Sequence, residues 1–291
     1  MGMTGIRLRA GIRRSPDGTI RTTFADDARS LLGHIHRLEG LIGRGEIRVQ
    51  EKVAVFDLDN TLLEGDLGES VFAQLWKDGH ALSLTWTAYQ ACLRVDVLTG
   101  YQRVVTAMEG LPLHSLVKAT HRVLSPASSH IEIEGQRVTF PHPNPRLLQL
   151  LKLLKHLDYR IIVITSSNEI SARIAVSHWF DAFAPVVFGL RPRINDDIVG
   201  GTLVEPLPLG EGKAEVYRQC VGSVRPLLTA GNSVHDVPFM RLTHEAGCSI
   251  WVGNDEEEAQ KAQRELGRPH NLYRIRGTDR SELEEHRADS W

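Results

Sequence analysis

Asp57 and Asp59 offer the clearest chemistry in the sequence, because they directly follow the apolar run Val53-Ala54-Val55-Phe56. Such a run of β-branched and aromatic residues predicts a buried strand of a parallel sheet. Alternate side chains of an extended chain face the same side, so both carboxylates are expected to share a cation and a substrate at the carboxyl end of this strand. Taken alone, the segment also fits two solvated aspartates followed by a turn at Asn60-Thr61.

A run of hydroxyl residues follows the next predicted strand. Residues 146–156 have helical periodicity, and residues 159–164 form an apolar run that predicts a strand ending in Thr165-Ser166-Ser167-Asn168. A hydroxyl and free backbone N–H groups at a strand end, just before a helix expected from Glu169, make an anion-binding corner. Serine and threonine are also ordinary helix caps, so this segment by itself leaves both interpretations open.

Two later segments add charge at predicted element ends. Gly210-Glu211-Gly212-Lys213 opens an amphipathic segment, and its lysine could place a compact positive charge near the same corner. A lone lysine at a helix start is more often simply solvated. The apolar residues 226–230 then run into Gly231-Asn232-Ser233-Val234-His235-Asp236, which again predicts a strand, a tight turn and oxygen-bearing side chains at the strand end.

The carboxylate pair, the hydroxyl, the lysine and the second acidic turn resemble, in this order, the four motifs of the haloacid dehalogenase (HAD) superfamily of phosphatases and phosphotransferases. The pattern Asp-Leu-Asp-Asn-Thr is specific when the other three support it. Residues 189–213, with Gly200-Gly201-Thr202-Leu203, are similar to the phosphoserine-phosphatase-like branch (subfamily IB type), whose members include phosphocholine and phosphoethanolamine phosphatases.

The resemblance implies a Mg²⁺-dependent phosphatase that hydrolyses a small phosphomonoester through an aspartyl-phosphate. Asp57 would be the nucleophile and Asp59 the general acid and base. The resemblance also implies a set of phosphate-binding residues, namely Thr165, Ser166 and Lys213, and a set of Mg²⁺ ligands, namely Asp57, Asp59 through its backbone carbonyl, Asn232 and Asp236. Asn232 departs from the branch, which more often has aspartate there, and the loss of one negative charge is expected to weaken metal binding.

Two alternatives stay open beside hydrolysis. A phosphotransferase would pass the phosphoryl group to a hydroxyl acceptor with the same residues, and a non-catalytic HAD-like module would only bind. The carboxylate at Asp59 favours phosphoryl transfer over carbon–halogen cleavage, because a leaving halide needs no acid. A degenerate module would have lost the nucleophile or the acid, and this sequence keeps both.

The predicted fold class is α/β, a Rossmann-like parallel sheet core flanked by helices, with an inserted helical cap of C1 type. The core comprises residues 24–64 and 140–254, starting with an extra helix at 24–42. Residues 65–139 carry four helical patterns and are too long for a loop, so they predict the cap, which would close over the site. Residues 1–23 are expected to be flexible, and residues 255–291 to form a charged helix and a tail.

Substrate choice is expected to come from the cap. Asp66 stands where phosphoserine-type relatives have an acidic residue that meets the substrate ammonium, which suggests an amino- or choline-bearing substrate. It is equally an ordinary helix N-cap. The aromatic residues of the cap, Trp76, Trp86, Tyr89 and Tyr101, either form a cage for a quaternary ammonium or, as is more usual, pack in the core.

Composition agrees with a soluble enzyme, and the resemblance implies a small phosphorylated metabolite as its partner. The net charge of −2 gives no general attraction to nucleic acid or membrane, and no apolar run reaches the roughly 20 residues that span a bilayer. No apolar stretch follows the N-terminal arginines, so no secretory signal is expected. Cys92, Cys220 and Cys248 are odd in number and lie in apolar surroundings, which favours buried thiols in a cytoplasmic protein. The sequence does not predict the oligomeric state.

Overall fold

The structure is a computed structural model that describes residues 28–125, 127, 129–267 and 271–276. Its helices are α1 (Ala28–Gly43), α2 (Leu67–Lys77), α3 (Trp86–Val95), α4 (Val97–Thr106), α5 (Leu113–Leu124), α6 (Pro145–His156), α7 (Glu169–Phe180), α8 (Glu211–Cys220), α9 (Val237–Met240) and α10 (Glu256–Leu266). Its strands are β1 (Val53–Phe56), β2 (Leu63–Glu64), β3 (His130–Ile133), β4 (Gln136–Thr139), β5 (His142–Pro143), β6 (Arg160–Asn168), β7 (Val186–Leu190), β8 (Pro192–Asn195), β9 (Ile198–Leu203), β10 (Leu228–Gly231), β11 (Cys248–Val252) and β12 (Asn271–Ile275).

A six-stranded parallel sheet in the order β12-β11-β10-β1-β6-β7 forms the core. The continuous apolar run of β1 follows from burial on both faces, because Ala54 and Phe56 join one apolar cluster while Val53 and Val55 join another. Helices cover both sides of the sheet. The predicted α/β fold class, with a parallel sheet flanked by helices, is confirmed.

The register of the sheet aligns the ends of its central strands. Phe56 at the end of β1 pairs with Ala230 of β10 on one side and with Val163 of β6 on the other. The residues that follow these positions therefore emerge at one edge of the sheet. This arrangement brings the predicted chemical residues together although they are far apart in the chain.

Helices α2 to α5 lie between β2 and β5, inside the range predicted for the cap. This region also contains an antiparallel hairpin, β3 and β4, which the helical patterns did not predict. Its turn at Glu134 and Gly135 adopts positive φ angles of 48° and 74°, the backbone that a two-residue hairpin turn requires. The cap is therefore helical with a short hairpin at its C-terminal end.

A second hairpin, β8 and β9, contacts the cap rather than the main sheet. The backbone amide of Gly110 donates to the carbonyl of Val199 (2.8 Å), and the amide of Val199 donates to the carbonyl of Leu111 (2.9 Å). Leu113 donates in the same way to Asp197 (2.8 Å). This backbone ladder couples the hairpin to the loop between α4 and α5.

The two ends of the described chain pack on each other near the sheet edge. Leu31, Ile35 and Leu38 on one face of α1 are buried, and His34 hydrogen-bonds to the hydroxyl of Tyr273 in β12 (3.1 Å). Strand β12 extends the parallel sheet beside β11, so residues 271–275 belong to the core sheet rather than to the tail in which the sequence placed them. The predictions for residues 1–23 and 278–291 lie outside the described residues.

The cysteines differ from the expectation of buried thiols. Cys248 in β11 is buried, whereas Cys220 at the end of α8 is exposed and Cys92 is partly exposed. The expectation that Cys220 is buried was wrong, because the end of α8, where Cys220 lies, is exposed.

Candidate active site

Asp57 lies at the carboxyl end of β1, between the neighbouring strands β6 and β10. Its backbone amide donates to the carbonyl of Ala230 (2.9 Å), which continues the strand pairing by one residue. The side chain is 6% exposed, so only a small part of the carboxylate faces the cavity described below. The strand thus presents one nearly buried carboxylate at the sheet edge.

The chain then turns sharply, so that Asp59 reaches the ends of other elements. Asn60 at the turn has a φ of 55°, and its amide donates to the carbonyl of Gly65 (3.0 Å). Asparagine tolerates this left-handed backbone better than most residues. The Asn-Thr that follows the two aspartates therefore serves turn geometry, and Thr61 is fully buried with its hydroxyl 3.3 Å from Oδ1 of Asn232.

Lys213 bridges two carboxylates that follow different strands, β1 and β10. Its Nζ donates to Oδ1 of Asp57 (2.7 Å) and to Oδ1 of Asp236 (2.6 Å). All three side chains are almost completely buried, with exposed fractions of 4%, 6% and 1% for Lys213, Asp57 and Asp236. The three residues, which we call the lysine triad, form a compact buried ion cluster that carries one net negative charge when both carboxylates are ionised.

The glycines of Gly-Glu-Gly-Lys place this lysine. Gly210 adopts φ 52° and ψ −119°, a backbone that essentially only glycine reaches. A Cβ at Gly212 would lie 1.9 Å from the carbonyl oxygen of Leu207, so no side chain fits there. These two positions let the chain enter α8 tightly and bring Lys213 to the end of β1.

Asp236 lies in the lysine triad and in the turn after β10, not against an open cation position. Its Oδ2 accepts hydrogen bonds from the amides of Asn232 and Ser233 (both 3.0 Å) and from the Ser233 hydroxyl (3.2 Å). A Cβ at Gly231 would lie 2.5 Å from the Cβ of Asp236, which explains the glycine. Both oxygens of Asp236 thus accept hydrogen bonds from protein donors, and its role as a metal ligand stays a prediction.

Burial and charge set the protonation of the lysine triad. Burial, together with the nearby Asp236 and Asp59 carboxylates, raises the pKa of Asp57 to about 7, although Lys213 opposes this shift. Burial by itself would lower the pKa of Lys213, but the Asp236 and Asp57 carboxylates outweigh it and hold the pKa above its usual value. The lysine is therefore charged at neutral pH.

The carboxylate of Asp59 points away from the lysine and accepts three hydrogen bonds. The amide of Leu67 at the start of α2 donates to Oδ1 (2.7 Å), and the hydroxyls of Thr165 (2.9 Å) and Ser167 (2.7 Å) donate to Oδ2. Burial raises the pKa of Asp59 although these three donors oppose it. Thr165, predicted to bind phosphate, is fully buried with its hydroxyl on Asp59. Ser167 was not singled out from the sequence, where only its place in a run of hydroxyl residues marked it.

An oxygen cluster marks where a cation fits. One terminal atom of the Asn232 side chain lies 3.2 Å from the Asp59 carbonyl oxygen and 3.3 Å from Oδ2 of Asp57. As an amide nitrogen it donates to both oxygens; as an oxygen it lies 3.3 Å from the Thr61 hydroxyl and completes a group of three oxygens that a bound cation would stabilise. Mg²⁺ prefers such oxygen donors and keeps several waters, so Asp57, the Asp59 carbonyl and Asn232 fit it.

The three oxygen donors of this possible cation site include only one ionisable side chain, Asp57. In the described residues, no group of three or more His, Cys, Asp or Glu side chains is arranged to hold a metal. The reason lies in the orientations given above, since the Asp59 carboxylate faces hydroxyls and Asp236 faces Lys213. A cation here would rely on one carboxylate, one carbonyl and one amide.

A cavity of about 400 Å³ opens above Asp57 and Lys213. Asp66 lines it and also caps α2, because its Oδ1 accepts a hydrogen bond from the amide of Glu69 (2.8 Å). Burial, followed by the Asp59 and Glu69 charges, raises the pKa of Asp66 well above its usual value. Asp66 therefore caps the helix and also borders the cavity, and its contact with a substrate ammonium stays a prediction.

Other residues around the cavity modify the predicted site. Ser166 lines it, but its hydroxyl donates to the carbonyl of Pro208 (2.9 Å) rather than into the space. Glu258 and Lys261 of α10 also line it, although the sequence placed this helix on the surface. Nothing local in a charged amphipathic helix signals that its polar face borders a cavity.

The cap aromatics do not form a cage together. Trp86 is buried with its indole N–H donating to Oε1 of Gln136 (3.0 Å), and Trp76 donates to the carbonyl of Leu84 (3.2 Å). Tyr101 borders the main cavity, and both Tyr89 and Tyr101 line a separate small cavity of about 10 Å³ that shares Ser166 and Ser167 with it. Trp86 is thus a core residue and Trp76 packs partly buried against the core, whereas Tyr89 and Tyr101 border the cavities.

Comparisons with known proteins agree with this architecture. The family model of the haloacid dehalogenase-like hydrolases matches residues 54–241. No curated protein sequence matches the chain. None of the helices in the described ranges is long and apolar enough to cross a membrane.

Solved structures of low sequence identity share the fold. A substrate-bound phosphoserine phosphatase complex is 14% identical, with a TM-score of 0.53, covering 81% of this chain and 98% of that one. Cytosolic 5′-nucleotidase IIIB bound to cytidine is 11% identical, with a TM-score of 0.53 and coverages of 87% and 92%. A HAD family hydrolase from Salmonella enterica subsp. enterica serovar Typhi is 15% identical, with a TM-score of 0.52 and coverages of 80% and 76%.

The sheet order, the buried lysine between two strand-end aspartates and the match over most of the core agree with one another, and the predicted family is confirmed: this chain belongs to the haloacid dehalogenase-like hydrolases.

Proposed function

We propose that the protein is a Mg²⁺-dependent phosphatase that hydrolyses a small phosphomonoester through an aspartyl-phosphate on Asp57. The observation that carries this proposal is the lysine triad, in which Lys213 holds Oδ1 of Asp57 at 2.7 Å. A charged lysine beside a nearly buried carboxylate lets that carboxylate approach a phosphomonoester dianion, which otherwise repels it. A purely structural ion pair would not need to border a cavity of this size.

The two carboxylate oxygens of Asp57 have different proposed roles. Oδ1, beside Lys213, is the atom that attacks phosphorus, and Oδ2 faces the Asn232 amide and the Asp59 carbonyl, which with it would hold Mg²⁺. When bound, the cation neutralises phosphoryl oxygens and so lowers the barrier to attack. Asp236 contacts Lys213 and the turn, so we propose that it positions the lysine rather than binding the metal directly.

Asp59 is the proposed general acid and base. Its raised pKa favours the protonated acid that a leaving alkoxide needs, and after the first step the carboxylate can take a proton from the attacking water. Thr165 and the Ser166 backbone, at the end of β6, are the proposed phosphate contacts. Thr165 can serve only when its hydroxyl turns from Asp59 to the substrate.

The inner end of the site supports a substrate with a positively charged group. Asp66 and Glu69 both start α2, and burial raises the pKa of Glu69, whose carboxylate accepts a hydrogen bond from Gln90 (3.0 Å). The described residues that line the small cavity of about 10 Å³ beside the main one include no Arg, Lys or His. Because that cavity holds only about one water, the cationic group would lie in the main cavity beside Asp66 and Tyr101, and an amino- or choline-bearing phosphomonoester is the proposed class.

Phosphoryl transfer to a hydroxyl acceptor is the second candidate, because an acceptor could enter the same cavity of about 400 Å³ in place of water. Adding a small alcohol and measuring the ratio of transferred to released phosphate separates the two reactions. We further propose that the protein acts on a small phosphorylated metabolite and binds neither nucleic acid nor a membrane. We place this activity in the cytoplasm.

Release of inorganic phosphate from phosphoethanolamine, phosphocholine, phosphoserine and an aryl phosphate tests the proposal, with Mg²⁺ or with EDTA. Wild-type release that needs Mg²⁺ and is lost in Asp57→Asn is expected, and the ammonium esters should be preferred. Asp66→Asn should raise KM for the ammonium esters and leave the aryl phosphate almost unchanged. Release that persists in EDTA or in Asp57→Asn contradicts the proposal.

A further inference from the structure

The hydroxyl of Thr165 is required in two places during the proposed reaction. It donates to Oδ2 of Asp59 (2.9 Å) and accepts a hydrogen bond from the amide of Ser167 (3.0 Å). A hydroxyl carries one proton, so it cannot donate to Asp59 and to a phosphoryl oxygen together. Binding of the phosphoryl group therefore removes one of the three donors to Asp59.

Ser167 is the donor that can remain. Its hydroxyl lies 2.7 Å from the same Oδ2 of Asp59, closer than that of Thr165, and its side chain is 6% exposed at the boundary of both cavities. With the amide of Leu67 on Oδ1 at 2.7 Å, the serine fixes both oxygens of the carboxyl group after Thr165 has turned away.

The local backbone is built to keep this serine in place. A Cβ at Gly189 would lie 2.7 Å from the carbonyl oxygen of Ser167, so β7 approaches the serine backbone as closely as glycine allows. A Cβ at Gly68 would lie 2.9 Å from the Ser167 hydroxyl oxygen, so the first turn of α2 also approaches it closely. Two glycines thus enclose the serine from both sides.

We propose that Ser167 is a positioning residue that orients Asp59 for proton transfer to the leaving group. This inference rests on the proposed phosphatase function. In the first step, Oδ1 of Asp57 forms a bond to phosphorus while the bond from phosphorus to the leaving oxygen breaks. The leaving oxygen keeps that electron pair and takes the proton of Asp59. Asp59 becomes a carboxylate, which Ser167 and the Leu67 amide stabilise by hydrogen bonds.

Leaving groups of different basicity separate this role from a structural one. An alkyl phosphate such as phosphoethanolamine needs the proton, whereas 2,4-dinitrophenyl phosphate leaves without it. In Ser167→Ala, kcat/KM for the alkyl ester, which reports the first step alone, should fall about tenfold or more, a part of the 10² to 10⁴ that a general acid contributes, while kcat/KM for the aryl ester changes little.

Gly68→Ala is an independent variant that retains the serine. The added methyl group is compatible with the first turn of α2 but displaces the Ser167 hydroxyl, so it should produce the same selective loss for the alkyl ester. Ser249→Ala is the matched control, because it removes a buried hydroxyl that hydrogen-bonds to Thr229 (2.9 Å) in the sheet. It should lower stability without changing the ratio of the two rates.

Equal losses for both esters, or no loss in either variant, would overturn the role of Ser167 while leaving the phosphatase proposal in place. Wild-type protein that releases no phosphate from either ester with Mg²⁺ would overturn both. A loss confined to the alkyl ester in both variants would support the proposal.

Discussion

Replacing Lys213 by methionine should destabilise the protein strongly, because it leaves two buried carboxylates without their shared cation. The side chains of Lys213, Asp57 and Asp236 are only 4%, 6% and 1% exposed, so solvent cannot take over the role of the lysine. Removing one member of a buried ion pair costs about 3–5 kcal/mol. We expect a loss of this size for Lys213→Met, since methionine preserves the apolar length of the side chain and removes only the charge.

Urea unfolding followed by tryptophan fluorescence measures this loss, and EDTA keeps divalent cations from replacing the lysine. Lys118→Met is a matched control on the exposed side of α5, and it should change the free energy of unfolding by less than about 0.5 kcal/mol. The control shows whether the introduced methionine itself alters stability.

A double variant tests the cause of the loss. Lys213→Met combined with Asp236→Asn removes one of the two carboxylates that have lost their cation. The free energy of unfolding of the double variant should therefore exceed that of Lys213→Met by more than about 1 kcal/mol. The reasoning is refuted if Lys213→Met unfolds within about 1 kcal/mol of wild type, or if the second substitution adds a further independent loss. Either result would show that the lysine triad does not form as described.

Three further results follow from the structure. Asn232→Asp adds a negative charge to the oxygen cluster, so the Mg²⁺ concentration that half-saturates activity should fall on the order of tenfold, measured by phosphate release against Mg²⁺. Burial and the Arg37 charge lower the pKa of His34 below its ordinary value of 6.5, although the Ala246 carbonyl opposes the shift. The folded protein therefore favours neutral His34, so the free energy of unfolding should be highest above about pH 6.5 and should fall as the pH drops below it. His34→Gln should flatten this decline in urea unfolding between about pH 7 and 5, while the exposed His36→Gln should not. Gly212→Ala places a Cβ 1.9 Å from the Leu207 carbonyl oxygen. It should lower the free energy of unfolding by at least about 1–3 kcal/mol and reduce phosphate release. Unchanged values of both would contradict the close approach.

The sequence predicts much of the sheet edge because local patterns and one general rule suffice there. Apolar runs mark β1, β6 and β10, and parallel strands bring the residues after them to one edge. The glycines before Lys213 were visible as a motif, and the structure gives their reason in the positive φ of Gly210 and the contact of Gly212 with Leu207. These features depend on neighbours in sequence.

The features that were not predicted depend on contacts between distant segments. Strand β12 is short, and its buried Arg274, 2% exposed, breaks the apolar pattern that marks a core strand. The donation of Ser167 to Asp59 requires the turn at Asn60 and the start of α2 to meet the end of β6. Lys261 borders the cavity only because of how α10 packs. Sequence periodicity contains none of these distances.

The central claim is that Asp57 carries the phosphoryl group during turnover. Its most direct test is to quench wild-type protein with acid during turnover of phosphoethanolamine or an aryl phosphate with Mg²⁺, and to map the peptides by mass spectrometry. The account predicts a hydroxylamine-sensitive phosphoryl group on the peptide that contains Asp57, more abundant when Asp59→Asn slows its hydrolysis and absent in Asp57→Asn. Turnover without any phosphorylated peptide, or a phosphoryl group on another residue, would contradict the account.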